Sequence, residues 1–193
     1  MVISMSVDRK TAAVVLAAGQ GKRMNSDVQK QYMLLNDKPV IFYSLNAFQE
    51  SFIDEIILVV AKGEIDYCRT EIVEKYNFTK VKKIVEGGSE RYHSVASGLK
   101  CIDGDGFVFI HDGARPFLTE EILMRSYEAV KEYGACVVGM PVKDTIKIVD
   151  ENNFAKLTPN RETLWQIQTP QVFSIELVKA AYDELIIGIT LFL

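Results

Sequence analysis

Cysteine is scarce. The 193-residue chain holds three, Cys68, Cys101 and Cys136, far apart and with no Cys-x-x-Cys pair, which excludes a zinc site and a disulfide framework and leaves three reduced, mostly buried thiols. Net positive charge is lacking too. A formal balance of −4 and a pI near 5.3 speak against nucleic acid as the main partner, because duplex binders show a basic face or stripe, and fit a soluble cytoplasmic enzyme. The apolar tail Leu185 to Leu193, LIIGITLFL, falls far short of the ~20 residues a membrane helix needs. Met1 to Lys10 has no apolar stretch with a cleavage site, so no secretory leader is expected. Repeats, low-complexity tracts and long linkers are missing as well. With 48% hydrophobic residues, the chain is expected to make one domain, 1–193, with a sizeable core, since about 100–200 residues per domain is usual.

What is present centres on Ala12 to Tyr32, AAVVLAAGQGKRMNSDVQKQY. Ala13 to Leu16 reads as a buried strand. It breaks into Ala17-Ala18-Gly19-Gln20-Gly21, where small side chains let backbone N–H groups approach a ligand closely. Lys22, Arg23 and Lys30 follow, a cluster of cations in an acidic chain, as a polyphosphate site requires. A dinucleotide fingerprint would want a third Gly where Met24 stands and a helix directly after it, whereas Asn25-Ser26-Asp27 continues as polar loop. A Walker loop would need Gly-Lys-Ser/Thr, which Gly21-Lys22-Arg23 does not supply. Alone, the segment also fits an ordinary surface turn with solvated lysines.

Strand and helix alternate after it. Pro39 to Phe48 has helical spacing, with Pro39 suited to a first turn. Ile56 to Val60 reads as a strand buried on both faces, Ile65 to Tyr76 as a helix and Val81 to Val85 as a strand, and Gly87-Gly88-Ser89-Glu90-Arg91 opens a helix through Val95 and Leu99. Phe107 to Ile110 is a strand ending at His111-Asp112. Thr119 caps a helix with Glu120 and Glu121 in its first turn and apolar Ile122, Val130 and Tyr133, and Ala135 to Met140 is a strand. The alternation predicts an α/β domain, a mainly parallel sheet with helices on both faces and ligands beyond the carboxyl ends of strands. After Pro141 the pattern changes: Thr145–Val149 and Phe154–Thr158 flank Asp150 to Asn153 as a β-hairpin arm, about 141–165, expected to pack on a partner subunit. Trp165 to Phe173 returns to the sheet, and Ile175 to Leu185 is a last helix.

Three further motifs carry candidate chemistry. Gly87-Gly88-Ser89-Glu90-Arg91 leads to Ser94, giving backbone donors and a hydroxyl at a helix start; a plain turn capped by Ser89 is the other reading. In His111-Asp112-Gly113-Ala114-Arg115, Asp112 and Arg115 either grip opposite sides of a polar ligand or pair with each other, and His111 reads as a hydrogen-bonded core histidine. The arm contributes Lys143-Asp144-Thr145 and Arg161, whose planar fork suits a phosphate monoester. Trp165 reads as a packing anchor, and Gln168-Thr169-Pro170-Gln171 follows.

LAAGQGKRM followed by KQY, with these three motifs in order from Ala12 to Phe173, resembles the 2-C-methyl-D-erythritol 4-phosphate cytidylyltransferase family of sugar-phosphate nucleotidyltransferases. The resemblance implies a Rossmann-like fold with a protruding hairpin arm. It also implies attack by the phosphate of methylerythritol 4-phosphate on the α-phosphorus of CTP, releasing pyrophosphate, with Mg2+ carried mainly on the triphosphate and no protein metal cluster. Arg23 and Lys30 match the catalytic cations. Ala17, Ala18, Gly19, Gly21, Lys22, Gly88, Ser94 and Asp112 match the nucleotide site. Asp112, Arg115, Thr145, Arg161 and Thr169 match the substrate site, the arm residues reaching into a partner's site of a homodimer.

Gln29 stands where the family usually has Pro, which bears on loop rigidity. The family's final acidic segment and Lys-bearing strand are expected to be missing after Gly188-Ile189-Thr190, leaving a sheet position open to LIIGITLFL. Two alternatives follow: a ribitol 5-phosphate cytidylyltransferase, or a nucleotide-binding dimer with little turnover.

Overall fold

The computed structural model describes residues 9–19 and 28–191. Strand β1, Thr11–Ala17, has alternate residues on two apolar clusters: Ala13, Val15 and Ala17 on one face, Ala12 and Val14 on the other. That double burial explains its run of small and β-branched residues. The short strands β2, Leu34–Leu35, and β3, Lys38–Pro39, form a separate ribbon leading into helix α1, Val40–Gln49. Pro39 is the residue just before the helix rather than part of its first turn; its φ of −63° and ψ of 145° are extended.

Strand β4, Glu55–Val60, lies parallel to β1, and β5, Val81–Glu86, parallel to β4. Between them, helix α2, Ile65–Tyr67, runs into a π-helical stretch, Cys68–Glu74. Helix α3, Arg91–Leu99, leads to β6, Phe107–Asp112, which returns to the other side of β1, again parallel. Gly98 permits the approach of α3 to the sheet, since a Cβ there would lie 2.5 Å from Val14 Cγ1. Helix α4, Glu120–Tyr133, is capped as expected: the Thr119 hydroxyl accepts from the Ile122 N–H at 3.3 Å. Its buried stripe is Leu123, Ser126, Tyr127 and Val130, whereas Tyr133 is exposed; Tyr133 occupies the last turn, where Gly134 at φ 74° ends the helix in a left-handed cap.

Strand β7, Ala135–Pro141, is an edge strand. The arm follows, with β8, Ile148–Val149, and β9, Ala155–Leu157, shorter than the spacing predicts and exposed throughout. Asp150 Oδ1 closes its turn by accepting from the N–H groups of Asn152 and Phe154, both at 2.9 Å. Strand β10, Trp165–Ser174, then inserts between β6 and β7, antiparallel to both, giving the order β5-β4-β1-β6-β10-β7. The sheet is thus mainly parallel with one antiparallel member, as an α/β sheet that returns through an arm permits. Trp165, expected as a packing anchor, is 59% exposed in the single chain, at the end of the β7–β10 ladder where it pairs with Pro141.

Helices α1 and α4 cover one face, and α3 and α5, Ile175–Leu191, the other. The backbone stays helical well past Leu185, so most of the apolar tail continues α5 instead of forming a strand, as its helix-forming neighbours Ala180 to Glu184 favour. No helix among the described residues is long and apolar enough to cross a membrane.

Candidate active site

The chain runs outward from β1 through β4 to β5, then crosses back to β6 on the opposite side of β1. Such a reversal opens a crevice between the carboxyl ends of β1 and β6, where open α/β sheets bind ligands. The Gly113 N–H donates to Leu16 O at 2.8 Å and the Gly87 N–H to Val60 O at 2.8 Å. The first bond ties Gly113 after β6 to the end of β1, and the second ties Gly87 after β5 to the end of β4, where it lies against Ala18 of the loop after β1.

The glycines are packed for this. A Cβ on Gly87 would meet Ser94 Oγ at 2.5 Å and Ala18 Cβ at 2.6 Å, whereas one on Gly19 would meet nothing within 4 Å, so Gly19 borders open space. The buried Ser94 hydroxyl accepts from the Gly88 N–H at 3.2 Å. Ser89 is not a cap: Glu90 precedes the helix without a side-chain bond, and the Ser89 hydroxyl instead meets His93 Nδ1 at 3.2 Å.

Asp112 is held on both oxygens, by Arg91 Nε at 3.1 Å and Arg115 Nε at 3.0 Å, and Arg115 also bonds Gln168 Oε1. The pairing of Asp112 with Arg115 is therefore present. Arg91, quoted in its motif without a role, adds a second guanidinium at the first residue of α3, aimed across the crevice. Asp112 is the charge partner of two guanidinium groups in this arrangement, and no group of three metal-binding side chains exists among the described residues.

His111 orders the β6 end. It is 1% exposed, and burial lowers its pKa to about 4, against the opposing hydrogen bond to Arg115 O. Arg115 O only accepts, so Nε2, at 3.1 Å, carries the proton of the neutral ring. Nδ1 then accepts from the Thr169 hydroxyl at 3.0 Å, and Thr169 Oγ1 accepts from the Asp112 N–H at 3.3 Å. Thr169 thus fixes Asp112 through its backbone. Because the folded pKa lies below the unfolded value near 6.5, this contribution to stability is whole above pH 6.5 and is lost as pH falls to about 4. The loss is on the order of 3 kcal/mol. Urea denaturation from pH 7.5 to 4 is expected to fall more steeply for the native chain than for His111→Gln; parallel curves would remove His111 from the account.

Lys30 lies on the 3-10 turn Lys30–Tyr32 with its side chain exposed, and that turn is joined to the β1 loop through Gln31, whose amide donates to Ala17 O at 2.6 Å. The KQY motif by itself gives Gln31 no role. Gln29, in place of the family's Pro, keeps a proline-like backbone at φ −63°, ψ 142° and bonds Glu64 through its side chain. Gly21, Lys22 and Arg23 lie outside the described residues. Ala17, Ala18, Gly19, Gly88, Ser94, Asp112, Arg115 and Thr169 thus gather around the crevice with Lys30 beside them. Thr145 and Arg161 are exposed on the arm, where Arg161 donates to Lys143 O at 3.3 Å.

Residues 11–188 match the family model described as 2-C-methyl-D-erythritol 4-phosphate cytidylyltransferase. A protein of that name from Lachnospira eligens is 56% identical over 174 residues, which are 90% of this chain and 76% of the relative. Another from Lachnoclostridium phytofermentans is 49% identical over 176 residues, 91% of this chain and 76% of the relative. Among solved structures, 4-diphosphocytidyl-2C-methyl-D-erythritol synthase from Anaerococcus prevotii superposes with a TM-score of 0.79 at 32% identity, covering 92% of this chain and 75% of that one.

Proposed function

The chain belongs to the 2-C-methyl-D-erythritol 4-phosphate cytidylyltransferase family, and from that premise we propose how its crevice joins CTP to 2-C-methyl-D-erythritol 4-phosphate, giving 4-diphosphocytidyl-2-C-methyl-D-erythritol and pyrophosphate for isoprenoid synthesis. A phosphate oxygen of the alcohol attacks the α-phosphorus, and the bond to the β-phosphate breaks. The nucleophile is already anionic at neutral pH, so positioning and charge stabilisation carry the reaction and no general base is required.

The loop of Ala17, Ala18, Gly19 and Gly21, with Lys22, cradles the triphosphate. Arg23 and Lys30 meet the charge that develops at the α-phosphate. Gly88 and Ser94 face the base and ribose, while Asp112, Arg115 and Thr169 hold sugar and alcohol hydroxyls. Thr145 and Arg161 reach the alcohol phosphate from the partner's arm in a homodimer; the exposed apolar side chains Ile148, Phe154 and Leu157 on that arm support this. Magnesium would be carried on the CTP phosphates, where it would draw off their negative charge; Asp112, a carboxylate at this crevice, is paired with Arg91 and Arg115. Residues 1–193 act as one nucleotidyltransferase domain, placed in the cytoplasm with its substrates.

The observation that carries this reading is the junction of the glycine loop with Asp112 at the β1–β6 crevice, tied by the 2.8 Å Gly113–Leu16 bond. A pyrophosphate-release assay with CTP tests it. Methylerythritol 4-phosphate is expected to be turned over at least about tenfold faster than ribitol 5-phosphate, a discrimination of about 1.4 kcal/mol. The reverse order would give the ribitol enzyme, and CTP binding without product in either case would leave a nucleotide-binding dimer.

A further inference from the structure

We propose that Gln31 is a positioning residue for this reaction: its buried amide, anchored through Gln29 on Glu64, orients the β1 loop and holds Lys30 against it. The inference rests on the functional reading above and extends it to residues that touch no substrate.

Gln31 is 3% exposed, yet its Nε2 faces three acceptors: Ala17 O at 2.6 Å, Gly19 O at 3.1 Å and Gln29 Oε1. An apolar residue would fill the same space, so the carboxamide is present for its donors. In a trans peptide the C=O and the following N–H point in opposite directions. Holding Ala17 O on Gln31 therefore fixes the Ala18 N–H on the opposite side of that peptide, away from Gln31. A donor so fixed is what a phosphate oxygen requires.

The anchor lies one layer back. Gln29 Nε2 bonds Glu64 Oε1, and the Tyr32 hydroxyl donates to Glu64 Oε2 at 2.8 Å, so both carboxylate oxygens hold the turn. Burial raises the Tyr32 phenol far above its ordinary value, keeping it a donor. Lys30 is thereby flanked by three side chains, Gln29, Gln31 and Tyr32, each fixed to the body of the protein, while its own side chain stays in solvent. Glu64 sits where β4 gives way to α2 and the π-helical stretch that follows; π-type insertions in helices frequently accompany functional sites.

Gln31→Glu separates positioning from folding. Ionised, the carboxylate cannot donate and faces two carbonyl oxygens; protonated, it regains one donor. Relative to the native chain, kcat at pH 8 is expected to fall on the order of 100-fold, as for a misplacement near 1 Å. KM for the alcohol phosphate should stay within about twofold, since that substrate is held elsewhere. The deficit should shrink on lowering the pH to 6. Backbone order parameters of the 15N-labelled chain, followed in the same samples without substrate, should fall at Ala18 and Gly19 and stay unchanged in β4 and β6. Glu64→Ala, a change near the surface, should lower kcat in the same direction with less effect. A pH-independent ratio of variant to native turnover, or unchanged order in the loop, would overturn the inference. A native chain that makes no product while loop order still responds would remove the functional reading and support the clamp.

Discussion

Lys30→Ala is expected to lower turnover by about 10²–10³-fold while CTP affinity changes by a factor of a few, the pattern of an interaction made mainly in the transition state. Lys30 is exposed, and among the described residues no carboxylate pairs with it, so its removal disturbs neither core nor ion pair. Its turn is held by Gln31 and Tyr32, whose bonds the substitution leaves in place. Melting temperature should therefore remain unchanged. Arg23→Ala is expected to behave alike if, as proposed, both cations meet charge that concentrates on the α-phosphate as the pentacoordinate arrangement forms. A drop confined to CTP affinity, with kcat intact, would move Lys30 from catalysis to simple binding. Lys30→Arg tests geometry against charge: the guanidinium keeps the charge but spreads it over a planar fork, so partial recovery is expected.

The second large effect concerns the arm. If Arg161 serves the neighbouring subunit's site while Lys30 serves its own, two inactive variants repair each other when mixed. Arg161→Ala and Lys30→Ala subunits, exchanged to a statistical mixture, form hybrid dimers in which one of the two sites carries both lesions and the other neither. Recovery of roughly a quarter of native activity is expected, since hybrids are half of the dimers and half of their sites are intact. The exposure of the arm makes the substitution independent of core packing: Phe154 is 73% exposed, and among the described residues the Arg161 guanidinium donates to the carbonyl of Lys143 alone. Activity that stays at the level of the separate variants would place Arg161 in its own subunit's site or in none.

Much of this arrangement is legible in the amino-acid order. β1 and β4 announce themselves because strands buried on both faces must be apolar without interruption, and Thr119 and Gly134 mark the ends of α4 through local bonds that need no tertiary context. The glycine motifs are legible because close backbone approach leaves no other residue possible; Gly87, wedged between Ala18 and Ser94, shows why. The antiparallel entry of β10 between β6 and β7 is not legible, because strand order is settled by long-range pairing that periodicity does not encode. Nor is the continuation of α5 past Leu185, where a run of Leu, Ile and Gly suits helix and strand alike. The polar partners escape for a related reason. Arg91, Gln31 and Glu64 act through contacts across 21, 14 and 35 residues of chain, to Asp112, Ala17 and Gln29 respectively; a motif marks the segments of Arg91 and Gln31 but not the partner each reaches, and nothing near Glu64 distinguishes it from a surface residue.

The assignment as a whole depends on CTP lying in the crevice between β1 and β6. Titration of the 15N-labelled chain with magnesium and CTP addresses that most directly. The largest amide shifts are expected at Ala18, Gly19, Gly88 and Asp112, with Leu99, Lys100 and Asp183, which line a groove between α3 and α5, unmoved. Shifts centred on that groove, or none at millimolar CTP, would contradict the account.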